Sequence, residues 1–124
     1  MDPLVIAATD DTPFVSLNAK EGNFELMQRS LPEDSTAFYA PVIEWMLNYA
    51  ASPLEDTKFL FHLEYFNTSL AKQIFKLLNI LEQIAKKKNV LVTWCYDKGD
   101  HDMLASGERY SRLTVLKFEM VEKG

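Results

Sequence analysis

Three consecutive polar residues, Asn67, Thr68 and Ser69, are the best-placed chemistry in this sequence. Each carries a side-chain oxygen, and all three are helix N-cap types. They stand between two apolar patterns. Phe59 to Phe66 reads as a strand, and Leu70 to Ala85 recurs at helical spacing. A strand that feeds directly into a helix brings the helix N-terminus to the carboxyl edge of its sheet, where open α/β sheets carry their sites. The unpaired N–H groups there favour negative charge. Hydroxyls in this setting can carry a phosphate; from the seam alone, the better reading is that Asn67 or Thr68 is simply a cap.

Other reactive side chains make no comparable group. His62 falls mid-strand, where a satisfied structural histidine is the better reading. His101 lies between Asp100 and Asp102. That trio misses the calcium-loop pattern and supplies too few ligands, so a capped helix start explains it better. The only cysteine, Cys95, lies within an apolar strand pattern and reads as a small buried hydrophobe. With four glycines in all, the chain has neither a phosphate-binding glycine loop nor a nucleophile elbow. No serine, threonine or cysteine falls into a base-and-orienter arrangement. These observations argue against an enzyme, and no cofactor or metal is expected.

At 124 residues, the chain is expected to form one domain over 1–124 with a real core. A net charge of −5 opposes general nucleic-acid binding. One cysteine allows no internal disulfide. The start, Met-Asp-Pro-Leu-Val, has no basic region and no apolar run. No stretch approaches the roughly 20 apolar residues of a membrane span. The expectation is a cytoplasmic protein without membrane insertion.

The elements that would position the seam can be read in order. Leu4 to Ala8, Phe14 to Leu17 and Phe24 to Met27 read as antiparallel strands, with a turn at Asn18 to Asn23 containing Gly22. Leu31 to Ser35 breaks the strand, and Asp34 or Ser35 can cap a helix. Phe38, Val42, Trp45 or Met46, and Tyr49 recur along it. Pro41 either kinks this helix or begins its main part. Phe59 to Phe66 is apolar on both alternating sets, as in a central strand covered on much of both faces. The next helix sets Leu70, Ile74, Leu77, Leu78, Leu81, Ile84 and Ala85 inward. Lys72, Gln73, Lys76, Gln83 and Lys86 face out. Lys86 to Lys88 suits its last turn. Val90 to Tyr96 completes a β-α-β unit, so the two strands should be parallel. Asp100 caps a helix carrying Met103, Leu104 and Tyr110, and Leu113 to Val121 closes the sheet. The expected fold is α/β, a mixed sheet of about five strands with helices packed mainly on one face.

Several stretches together resemble one family: Leu31-Pro32-Glu33-Asp34-Ser35, Phe38-Tyr39-Ala40-Pro41-Val42-Ile43-Glu44-Trp45, Tyr65-Phe66-Asn67-Thr68-Ser69, Trp94-Cys95-Tyr96-Asp97, and Asp100-His101-Asp102-Met103-Leu104 with Gly107-Glu108. The chain is similar, over roughly residues 5 to 120, to the bacterial SiaC-like regulatory phosphoproteins, which have a STAS-like fold, that of anti-sigma-factor antagonists. The resemblance implies a non-catalytic partner switch. A protein kinase phosphorylates a threonine at the helix start, a phosphatase removes the phosphate, and the unmodified form binds an effector such as a diguanylate cyclase. The matching acceptor is Thr68, with Ser69 second to it. Tyr65, Asn67, Thr68, Ser69 and Lys72 are the implied partner-binding residues. The family often has a further serine after Ser69; this chain has Leu70. The runner-up reading is a small-ligand or anion-binding α/β domain using the same helix N-terminus.

Overall fold

The chain forms β1 (Leu4–Ile6), β2 (Phe14–Asn18), β3 (Asn23–Ser30), α1 (Ser35–Ala51), β4 (Asp56–Phe66), α2 (Thr68–Ala85), β5 (Asn89–Asp97), α3 (His101–Leu113) and β6 (Lys117–Lys123). This is a computed structural model. It describes residues 1–30 and 32–124, with Ser30 and Phe66 described by backbone alone. Leu31, where the break after β3 is expected to begin, lies outside the described residues, as does the side chain of Phe66 on the expected apolar face of its strand.

One six-stranded sheet runs in simple sequence order, β1 to β6. The first three strands are antiparallel neighbours, and β3 to β6 are all parallel. The count is six where about five are expected, because the three-residue β1 pairs fully with β2. The β2–β3 hairpin depends on Gly22, at φ +71°. A Cβ there would come within 2.5 Å of the Asp56 carbonyl oxygen, so both the turn and its approach to β4 require glycine.

Parallel neighbours need a crossover, and each crossover here is a helix. Right-handed crossovers that always step the same way along a sheet put every helix on the same face. The packing agrees. Phe24 makes edge contacts with Trp45 and Tyr49 of α1. Trp94 packs against Tyr110 of α3 and donates its indole N–H to the Met103 carbonyl at 2.9 Å. The buried stripe of α2 joins the same core cluster as Phe59, Phe61, Leu63 and Val92. β4 is therefore central but covered by helices on one face only. On its other face Leu60 and His62 are half-buried and Glu64 is exposed. The near-continuous apolar run of β4 suggests two covered faces; neighbouring strands alone shield the second.

Other boundaries differ for local reasons. α1 is continuous through Pro41, which is exposed, and does not restart there. Its buried face is Tyr39, Val42, Met46 and Tyr49, with Phe38 and Trp45 half-buried beside it. α2 ends at Ala85, so Lys86 is its C-cap and Lys87 and Lys88 lie beyond; both donate their backbone N–H to the Ile84 carbonyl. Leu113 ends α3 rather than opening a strand. The backbone N–H and hydroxyl of Thr114 both donate to the Tyr110 carbonyl, and β6 begins only at Lys117.

Leu77 is fully buried. Leu77→Ala is expected to lower unfolding free energy by about 2–5 kcal/mol. Gly107 lets α3 lie on Trp94, since a Cβ there would meet the indole at 2.4 Å. Gly107→Ala should cost about 1–3 kcal/mol through overpacking, although alanine favours helix. Urea midpoints of both variants against wild type test these values.

Candidate functional site at the helix start

Because β3, β4 and β5 are parallel, their carboxyl ends share one edge, and α1, α2 and α3 all begin there. Each start is capped by a side-chain oxygen. Asp34 accepts from the Ala37 N–H, Asn67 from the Leu70 N–H and Asp100 from the Met103 N–H, each at 3.0 Å. Of the alternatives at these positions, Asp34 rather than Ser35 caps α1, and Asn67 rather than Thr68 caps α2.

With Asn67 as cap, Thr68 is the first helical residue, and it is exposed. Ser69 is also exposed, but its hydroxyl is hydrogen-bonded to that of Ser35, which is buried at the start of α1. The two hydroxyls are therefore not equivalent. A modification on Ser69 would break a contact between helices, whereas one on Thr68 would not. Lys72 is exposed one turn further on. Tyr65, two residues before the cap, is 51% exposed. All five candidate residues are thus exposed, within two turns of the start of α2.

Tyr65 is placed by an irregularity that the sequence pattern does not announce. Gln28 pairs with Leu63, but Arg29 pairs with Tyr65, so Glu64 is an extra residue in the β3–β4 ladder. Gln28 has φ 77°, in the left-handed region uncommon for a non-glycine. A bulge bends its strand and re-aims the side chains beyond it. Here it falls just beyond His62, the last residue of β4 paired with β5, and Tyr65 emerges while still paired with Arg29.

A shallow groove of about 260 Å³ lies beside Tyr65, lined by Glu64, Asp100, Asp102, Met103 and Ser106. Its three carboxylates repel an anion. Asp100 is already occupied in capping, and Asp97 is turned away to His62, at 3.0 Å from Nε2. Among the described residues, no group of three or more His, Cys, Asp and Glu side chains is placed to hold a metal. Another groove, of about 420 Å³, lies at the opposite edge of the sheet, where Thr57, Lys58, Val90 and Lys117 line it. Burial pushes the Cys95 thiol above its usual range, with Lys123 opposing and Glu119 adding, so it is no poised nucleophile.

Two residues of α2 depart from the expected pattern. Gln73, expected to face out, is only 4% exposed, and its Oε1 has no hydrogen-bond partner among the described residues. It lies one turn beyond Ser69, on the side of α2 that meets α1. Phe75 is 37% exposed on a face otherwise occupied by Lys72, Lys76 and Asn79. An aromatic residue seven positions after Thr68, amid polar neighbours, is the sequence signal that would have found it.

The chain falls in a class of signalling proteins, the regulatory phosphoproteins. A family model described as SiaC family regulatory phosphoprotein matches residues 6–123. The chain belongs to the SiaC family. An uncharacterized protein of Pseudomonas aeruginosa, strain UCBPP-PA14, is 26% identical over 111 residues, covering 89% of this chain and 88% of that relative. SiaC of Pseudomonas aeruginosa superposes with a TM-score of 0.90 at 24% identity, over 99% of this chain and 100% of that one. A chain in the crystal structure of the diguanylate cyclase SiaD in complex with its activator SiaC, also from Pseudomonas aeruginosa, superposes with a TM-score of 0.91 at 24% identity, over 97% of this chain and 99% of that one. These structural likenesses are likenesses of fold. Among the described residues, no helix is long and apolar enough to cross a membrane.

If Asn67 holds the start of α2, Asn67→Ala should lower stability by about 0.5–2 kcal/mol, while Asn67→Asp, another strong cap, should stay close to wild type. Equal urea midpoints for all three proteins would show that the cap contributes nothing.

Proposed function

We propose that this protein is a non-catalytic partner switch governed by reversible phosphorylation of Thr68. The observation that carries the reading is an exposed threonine at the first position of α2, capped by Asn67, in a chain of a regulatory phosphoprotein family. The unmodified protein binds an effector through the surface of Tyr65, Asn67, Thr68, Ser69 and Lys72. The effector is a diguanylate cyclase, by analogy with the SiaD–SiaC complex of Pseudomonas aeruginosa.

The chemistry is supplied from outside. A protein kinase takes the proton from the Thr68 hydroxyl and transfers to its oxygen the γ-phosphoryl group of ATP, releasing ADP. A phosphatase returns inorganic phosphate by hydrolysis. What this chain supplies is placement. The phosphate adds about −1.5 to −2 charges at neutral pH. The N-terminus of α2 favours that charge by roughly 0.3–1 kcal/mol, so the modified protein keeps its fold. Lys72 is one turn along the same face, within reach of a phosphate on Thr68. A partner packed on a hydroxyl and a methyl group instead meets a hydrated dianion, whose desolvation opposes docking. Ser69 is the poorer acceptor because its hydroxyl is engaged by Ser35. The anion-binding alternative gains no support from the groove at this edge, whose lining is acidic.

Thr68→Ala should fold, take up no phosphate from the cognate kinase and still bind the effector. Thr68→Asp should fold and bind more weakly, with a partial effect because it carries a single charge. Mass spectrometry after kinase treatment, beside binding titrations of both protein forms, decides the matter. Phosphate found only elsewhere, or equal effector affinity with and without it, overturns the proposal.

A further inference from the structure

The chain has eight Phe, five Tyr and two Trp residues. Among the described side chains the two most exposed aromatics are Tyr65, at 51%, and Phe75, at 37%. They flank Thr68 in sequence, three residues before it and seven after. Single exposed apolar residues are ordinary; two aromatics on either side of one exposed threonine are a pattern. Phe75 stands outside the hydrophobic core cluster that collects the other faces of α2. Thr68, Lys72, Phe75 and Asn79 recur at i, i+4, i+7 and i+11, which places them on one outward stripe of the helix. Lys76 lies beside it. Neither Lys72 nor Lys76 has an ion-pair or hydrogen-bond partner among the described residues, whereas Lys88 pairs with Glu55 at 3.1 Å and Lys86 donates to Gln83 at 3.2 Å.

We infer that the outward stripe of α2 is a docking surface, with Phe75 as its aromatic anchor, for a protein segment that presents an apolar pocket flanked by carboxylates facing Lys72 and Lys76. Charge complementarity selects this partner. Two exposed cations, unpaired among the described residues, beside an aromatic ring call for acidic groups around an apolar contact, and an interface concentrates its energy in such aromatic anchors. The inference deepens the partner-switch reading and rests on it, extending the surface a further turn along α2. It also gives the phosphate a second action. Besides obstructing the contact at Thr68, it draws off Lys72 and leaves a partner carboxylate facing like charge.

The test uses the full-length protein and the diguanylate cyclase that co-purifies with its unmodified form from the source cells, afterwards purified. Phe75→Ala should weaken binding at least about tenfold, while it still melts cooperatively and is phosphorylated on Thr68 as in wild type. Lys72→Gln with Lys76→Gln should weaken binding several-fold and flatten its dependence on salt concentration. Wild-type affinity for both variants, with Thr68→Asp still weakened, overturns the docking surface and leaves the switch standing. Failure to recover any cyclase, or undiminished binding by Thr68→Asp, removes the switch and this inference with it.

Discussion

The arrangement of the site depends on one topological constraint. Four strands, β3 to β6, lie side by side in sequence order and all run the same way. Each connection must then cross over, and a right-handed crossover repeated in one direction leaves no choice of face. All three helices cover one side of the sheet, and all three begin at one edge. Three helix N-termini there bring together unpaired N–H groups that must be satisfied, and Asp34, Asn67 and Asp100 satisfy them. Thr68 is where it is because the chain must cap α2 before the helix can start.

That edge is electrically divided. On the α3 side, Glu64, Asp100 and Asp102 line the groove next to Tyr65. On the α2 side, Lys72 and Lys76 are exposed. Thr68 lies between the two. Within a protein of net charge −5, long-range attraction of an acidic group is weak, so any pull toward Lys72 and Lys76 is local and screened by salt. A phosphate placed on the boundary shifts it toward a single sign, which is a larger change than its bulk alone would cause.

The regular parts of this fold were legible because they follow periodicity. The inward stripe of α2, from Leu70 to Ile84, and the parallel pairing of β4 with β5 come directly from spacing and from the β-α-β order. The capped seam was legible because Asn, Thr and Ser have few other reasons to stand between a strand and a helix. What stayed hidden depends on partners remote in sequence. Whether the second face of β4 is covered is decided by the handedness of three crossovers, and the side chains of β4 cannot register it. The bulge that exposes Tyr65 depends on Gln28, 37 positions earlier, accepting φ 77°. The burial of Gln73 depends on how closely α1 approaches α2, which is set at the top by Ser35 meeting Ser69. The exposure of Phe75 inverts the hydrophobic rule, and periodicity treats such an inversion as noise.

Gln73 and Phe75 together indicate how α2 divides its tasks. A helix used only as a crossover would bury its apolar residues and expose its polar ones throughout. α2 obeys that rule over Leu77 to Ile84 and breaks it twice within two turns of Thr68. The polar residue that is buried lies toward α1, and among the described residues its carbonyl oxygen has no hydrogen-bond partner, an arrangement that disfavours burial. The apolar residue that is exposed lies toward solvent, where it forgoes the stabilisation of burial. Both departures disfavour the isolated protein, and neither contributes to packing of the sheet. Local rules are broken in this way where a surface serves something besides the fold. The inward stripe of α2 holds the domain together along its whole length, from Leu70 and Ile74 to Ile84, and the departures are confined to the two turns that follow Thr68.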